Sequence, residues 1–109
     1  MPVDPHRLAE ARSLAAHRVI AARLLADPRL LEQARARVDA WLTEEPCTHH
    51  YAADWRELLA GDVESVARAI AEDSERGRTL RQSTPFAGVL GPRERWQLWD
   101  EVREELERR

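Results

Sequence analysis

Three groups of residues in this chain have the types and spacing from which chemistry can be built. His6, Glu10 and His17 lie four and seven residues apart, offsets that return to nearly the same direction on a helix. A histidine beside a carboxylate can serve as a general base, but that role also needs a nucleophile and a dry, concave site. Neither is visible in the sequence, so a solvated polar face is the preferred reading. Cys47-Thr48-His49-His50 offers a thiolate and two imidazoles, both good zinc ligands. A structural zinc site wants four ligands in paired spacings, and His6 and His17 belong to a different helix. No metal is expected, and His49 and His50 are assigned to exposed positions in the first turn of the third helix. The acids Glu72, Asp73 and Glu75 stand at offsets that let Arg76 and Arg78 pair with them, which explains the cluster as intrahelical ion pairs. No phosphate-cradling glycine loop, nucleophile elbow or paired-carboxylate motif occurs. Neither an enzymatic activity nor a cofactor is expected.

The remaining asymmetry is electrostatic. Between residues 76 and 95 stand Arg76, Arg78, Arg81, Arg93 and Arg95 against the single acid Glu94, a local charge of +4 in a chain whose total is -3. This window is the expected anion-facing surface. At its centre Phe86, Val89 and Leu90 form an apolar patch in the stretch from Ser83 to Pro92, where Thr84-Pro85 suits a short helical turn and Gly88 and Gly91 permit backbone angles closed to other residues. Two readings compete for those apolar residues. They either fold inward as a lid over the end of a bundle, the preferred reading, or form a partner-binding patch flanked by arginines. Trp96 and Trp99, three residues apart, share the ambiguity: such a pair usually marks a core stripe, yet tryptophan and arginine also dominate interface hot spots. The partner-binding set is therefore Arg76, Arg78, Arg81, Phe86, Val89, Leu90, Arg93, Arg95, Trp96 and Trp99.

Helices must position these groups. Asp4-Pro5 and Asp27-Pro28 each place a capping side chain ahead of a proline suited to the first helical position, predicting helices over about Pro5 to Ala26 and Pro28 to Glu44. The stripe on the first is Leu8, Ala11, Ala15, Val19, Ala22 and Ala26; on the second it is Leu31, Ala34, Val38, Trp41 and Leu42. Thr48 is the expected cap of a third helix reaching Ala60, with Tyr51, Trp55, Leu58 and Leu59 inward and Gly61 as a left-handed stop. Asp62 caps a fourth with the stripe Val63, Val66, Ala67, Ile70, Ser74, Gly77 and Leu80. This helix is expected to continue to about Gln82, with an early end at Gly77 as the alternative. Pro92 opens the last, which carries Trp96, Trp99, Val102 and Leu106 at helical spacing. No segment alternates with period two. The expected fold is all-α, a compact bundle of about five helices in a single domain spanning residues 1–109.

Composition narrows the function classes. No apolar run approaches the roughly 20 residues that a membrane helix needs, and Asp4, His6 and Glu10 near the start are unlike a secretory signal. A cytoplasmic location is expected, in keeping with a single cysteine that has no internal partner. All 17 basic residues are arginine, the bias of a GC-rich bacterial genome. Arginine is still the better residue for forked pairing with carboxylate or phosphate.

The string EDSERGRTLRQSTPFAGVLGPRERWQLW, Glu72 to Trp99, resembles the C-terminal signature of small helical bacterial proteins of toxin-antitoxin operons, including ones beside nucleotidyltransferase-like toxins. The resemblance extends more weakly to RSLAAHRVIAARLLADPRLLEQARARVDAWL, Arg12 to Leu42. It implies an antitoxin-like inhibitor that binds a protein partner, with no catalytic residue to carry over. Such a toxin presents metal-binding carboxylates and a nucleotide-phosphate pocket, and arginines fit either mouth. Two other expectations stand beside it. Pro85 to Trp99 can form the turn and recognition helix of a DNA-binding helix-turn-helix, although Asp100, Glu101, Glu104, Glu105 and Glu107 would repel phosphates along the outer half of that helix. Self-association through Trp96, Trp99 and the apolar stretch would make a homodimer or oligomerisation module.

Overall fold

A computed structural model of the chain describes residues 4–46 and 48–108. Cys47, and with it the thiol of the Cys47-to-His50 cluster, lies outside the described residues. Among them the fold is entirely helical, with six helices: α1 (Pro5–Ala26), α2 (Arg29–Thr43), α3 (Ala52–Leu59), α4 (Val63–Ile70), α5 (Glu75–Arg81) and α6 (Pro92–Glu107). None is long and apolar enough to cross a membrane.

Several helix starts follow the capping chemistry of the sequence. The Asp4 carboxylate accepts from the His6 N–H at 2.9 Å, ahead of Pro5, and Asp27 accepts from the Arg29 N–H at 3.2 Å. Asp62 accepts from the Ser65 N–H at 2.8 Å. Glu94 reaches back to the Gly91 N–H at 3.2 Å at the start of α6. Each bond satisfies one of the donors that a helix leaves unpaired at its N-terminus.

Other expectations are corrected. The helix expected to run from Asp62 to Gln82 is broken into α4 and α5 at residues 71–74. Ser74 turns extended and caps α5, its hydroxyl accepting from the Gly77 N–H at 3.0 Å. The apolar stripe gave no warning, because both pieces pack against α1 and the periodic set simply resumes after the break. α3 starts at Ala52 behind Tyr51, whose φ of 62° sets the left-handed entry, so Thr48 is not its cap and Tyr51 is exposed. Gly61 does not use the left-handed region, which among the glycines only Gly88 occupies, at φ 92°.

α1 is the axis of the molecule, packing against α2, α4, α5 and α6. Its buried residues are Ala16, His17, Ile20, Ala21 and Leu24, whereas Ala22 and Ala26 of the expected stripe face solvent. Alanines occur around most of this helix, so they do not select a face; Ile20 and Leu24, the bulky residues with most apolar area to hide, do. The single core cluster joins them to Leu31, Ala34 and Val38 of α2, Trp55 and Leu59 of α3, Val66, Ala67 and Ile70 of α4, Leu80 of α5, and Phe86 and Leu90 of the segment after α5. α6 contributes no buried residue and rests on α1 from outside.

Candidate binding surface

Residues 82–91 connect α5 to α6 and are tied to the core and to side chains of two helices. Phe86 is 1% exposed and meets the Trp55 ring edge-on, with centroids 6.0 Å apart at 71°. The Trp55 indole N–H donates to the Leu80 carbonyl at 3.1 Å, so its one polar atom is satisfied inside the core. Polar groups from two helices then clamp the segment's backbone. Arg37 of α2 donates to the carbonyls of Pro85 and Ala87, each at 2.8 Å, and Arg23 of α1 donates to that of Val89 at 3.2 Å while pairing with Glu94. The lid reading of Phe86 and Leu90 holds. Burying a loop requires partners for its backbone, and arginines supply them.

His17 completes the attachment, and the polar-face expectation is wrong for it. Its ring is 3% exposed, with Nδ1 2.7 Å from the Ser13 carbonyl and Nε2 2.8 Å from the Thr84 hydroxyl. A carbonyl only accepts, so Nδ1 carries the proton; neutral Nε2 accepts from Thr84, whose oxygen accepts in turn from the Phe86 N–H at 3.1 Å. Burial pushes the His17 pKa down to about 4, with the positive charge of Arg81 acting in the same direction against the Ser13 bond. His17 is thus a neutral hydrogen-bonding post, separated from exposed His6 and Glu10.

Arg81, the last residue of α5, sends its side chain back to the break between α4 and α5. It is 3% exposed, and its Nη1 donates to the carbonyls of Ile70 at 3.2 Å and Glu72 at 2.8 Å, which terminates α4. Gly77 makes room for it: a Cβ there would stand 2.7 Å from the Glu72 oxygen and 2.8 Å from Arg81 Nη1. The other two guanidinium nitrogens, Nε and Nη2, are buried without a hydrogen-bond partner among the described residues.

The partner-binding set therefore divides in two. Arg81, Phe86 and Leu90 are internal, and Val89 is half-buried against the core. Arg76, Arg93 and Arg95 are exposed, and Trp96 is 72% exposed, which overturns its place in a core stripe. Trp99 is half-buried beneath the Arg12 guanidinium, which lies 5.8 Å from the ring centroid. Arg78 pairs with Asp73 at 3.2 Å, but the two are five residues apart and Asp73 lies in the break before α5, so this is not the expected pair within one helix. Arg81, Phe86, Leu90, Arg95 and Trp99 line one cleft against α1, whereas Arg76 and Arg93 lie outside it. Sequence reasoning missed Arg12, Arg23 and Arg37. Their one signal was an arginine close to the apolar stripe of its helix, where nothing in the spacing names a carbonyl far along the chain.

At the other end of the bundle His49 is half-buried, stacked on Trp41 with centroids 4.4 Å apart and paired with Glu44 at 3.4 Å, while His50 is exposed. Among the described residues no group of three or more histidine, cysteine or acidic side chains is placed to hold a metal ion. Comparison with known proteins finds no family model that matches this chain, no matching curated protein and no matching solved structure.

Proposed function

We propose that this chain is a non-catalytic interaction protein that binds and neutralises a toxin-type enzyme encoded beside it, seating the start of α6 against an acidic or phosphate-binding mouth. The observation that carries the proposal is Trp96, 72% exposed on a helix that buries none of its residues and flanked by exposed Arg93 and Arg95. A tryptophan left in water next to arginines is the composition of an interface centre. The buried members of the set act from behind: Phe86 and Leu90 anchor the segment that leads into α6, and Arg23 ties Glu94 to α1. Pairing Glu94 internally leaves Arg93 and Arg95 as the outward charges of the first turn.

Co-expression with the product of the adjacent gene tests the proposal. The wild-type chain should relieve that product's toxicity, and Trp96→Ala combined with Arg95→Glu should abolish relief while leaving the melting temperature within a few degrees. Undiminished relief by a folded double variant would contradict it. Operator-specific DNA binding that falls steeply with salt would favour the regulator reading instead.

A further inference from the structure

α6 is 16 residues long, about 24 Å, and buries none of them, so one whole side of it stands on the surface. On that side Arg93, Trp96, Asp100, Arg103 and Glu107 recur at intervals of three and four residues, the spacing at which one helix meets another along a seam. All five are exposed. Arg103 stands three residues after Asp100 and four before Glu107, offsets that suit pairing within a helix, yet none of these three forms an ion pair among the described residues.

The signs along this helix are ordered. Arg93 and Arg95 stand in the first turn, where the acid Glu94 is already taken up by Arg23 and the Gly91 N–H. Asp100, Glu101, Glu104 and Glu107 follow on the exposed second half, and the last turn holds no basic residue. Free cations at the start and acids at the end both oppose the dipole of the helix that carries them. A second copy of the helix laid antiparallel reverses this, because it brings an acidic half onto each basic start. Parallel copies about a two-fold axis would instead set each residue, and so each charge, against itself.

We propose that this face of α6 is the interface of a two-fold homodimer in which the α6 helices of two copies lie antiparallel. With the axis between residues 101 and 102, Asp100 of each copy meets Arg103 of the other, and Trp96 lies across the methylene stems of Arg103 and Glu107 of the other. The interface is one helix wide with one aromatic ring from each copy, short of the roughly 1,000 Å² of a stable complex, so the dimer is reversible, with a dissociation constant on the order of 0.1 mM. It rests on the charges of α6 and not on the toxin reading. Because it covers Arg93 and Trp96, it is the form of the protein free of any other partner.

Sedimentation equilibrium of the purified full chain, from about 10 μM to 1 mM, tests the proposal on a range that brackets the expected dissociation constant. Wild type should pass from monomer towards dimer. Arg103→Asp turns both central contacts into like-charge encounters and should weaken the dimer about tenfold, and adding Asp100→Arg restores opposite signs and should return the affinity to within about twofold of wild type. Neither residue belongs to the partner-binding set, so toxin relief by these variants is read separately from dimerisation. A wild-type chain that stays monomeric throughout would overturn the proposal. So would a dimer of unaltered strength in Arg103→Asp, or one that the added Asp100→Arg fails to restore.

Discussion

The arginines of this chain act singly and in different ways. Arg23, Arg35, Arg37 and Arg81 donate to backbone carbonyls distant in sequence, Arg78 pairs with Asp73, and Arg93 and Arg95 face water. Composition reveals their abundance but not this division, because donation to a backbone carbonyl leaves no mark on the sequence of the acceptor. His17 makes the sharpest residue-scale prediction. Its pKa falls from an ordinary 6.5 in the unfolded chain to about 4 in the fold, so only the unfolded chain takes up the proton between those values. His17's contribution to stability is complete above pH 6.5 and is lost as the pH falls toward 4, amounting to about 2 kcal/mol by pH 5. Urea denaturation of wild type and His17→Gln at pH 7 and pH 5 measures it, and the variant should lack this part of the acid sensitivity. Gly77→Ala should destabilise by about 1–3 kcal/mol, because the new methyl group meets the Glu72 oxygen and the Arg81 guanidinium. Thermal melting checks this.

Among the helices, the sequence is informative where a local signal decides the outcome. Asp4-Pro5 set the start of α1 at Pro5, and Asp62 and Pro92 opened α4 and α6 where capping chemistry places them. It is silent where two outcomes leave the same apolar period. The break at residues 71–74 hid behind a stripe that both α4 and α5 present to α1, and only Ser74, as a cap, distinguished a new start from a continued helix. The 82–91 segment is decided by its attachments. Arg37→Ala removes the bonds to the Pro85 and Ala87 carbonyls and should cost about 1–2 kcal/mol. Hydrogen exchange should report it as faster exchange of the Val89 amide, which donates to Phe86 within the segment, with α1 amides little changed. Phe86→Ala should cost more, about 3–5 kcal/mol, because the cavity opens against Trp55.

At the scale of the molecule, the all-helical fold was legible and the arrangement of its helices was not. Absence of period-two alternation and the four helix starts at Asp4-Pro5, Asp27-Pro28, Asp62 and Pro92 suffice for the class. That α1 would be the axis, with α6 resting on its outside, depends on long-range packing that helical spacing does not encode. The same holds for the proposed binding surface. The charge window marked residues 76–95, but the fold withdrew Arg81, Phe86 and Leu90 into the interior and left Arg93, Arg95 and Trp96 outside. The claim that this exposed remainder binds an acidic partner is tested most directly by calorimetry against the adjacent gene's product at two salt concentrations. Wild type should bind tightly, with an affinity that falls as salt rises, and Arg93→Glu with Arg95→Glu should lose at least about tenfold in affinity together with most of the salt dependence. Equal affinity of the two proteins at low salt would contradict it.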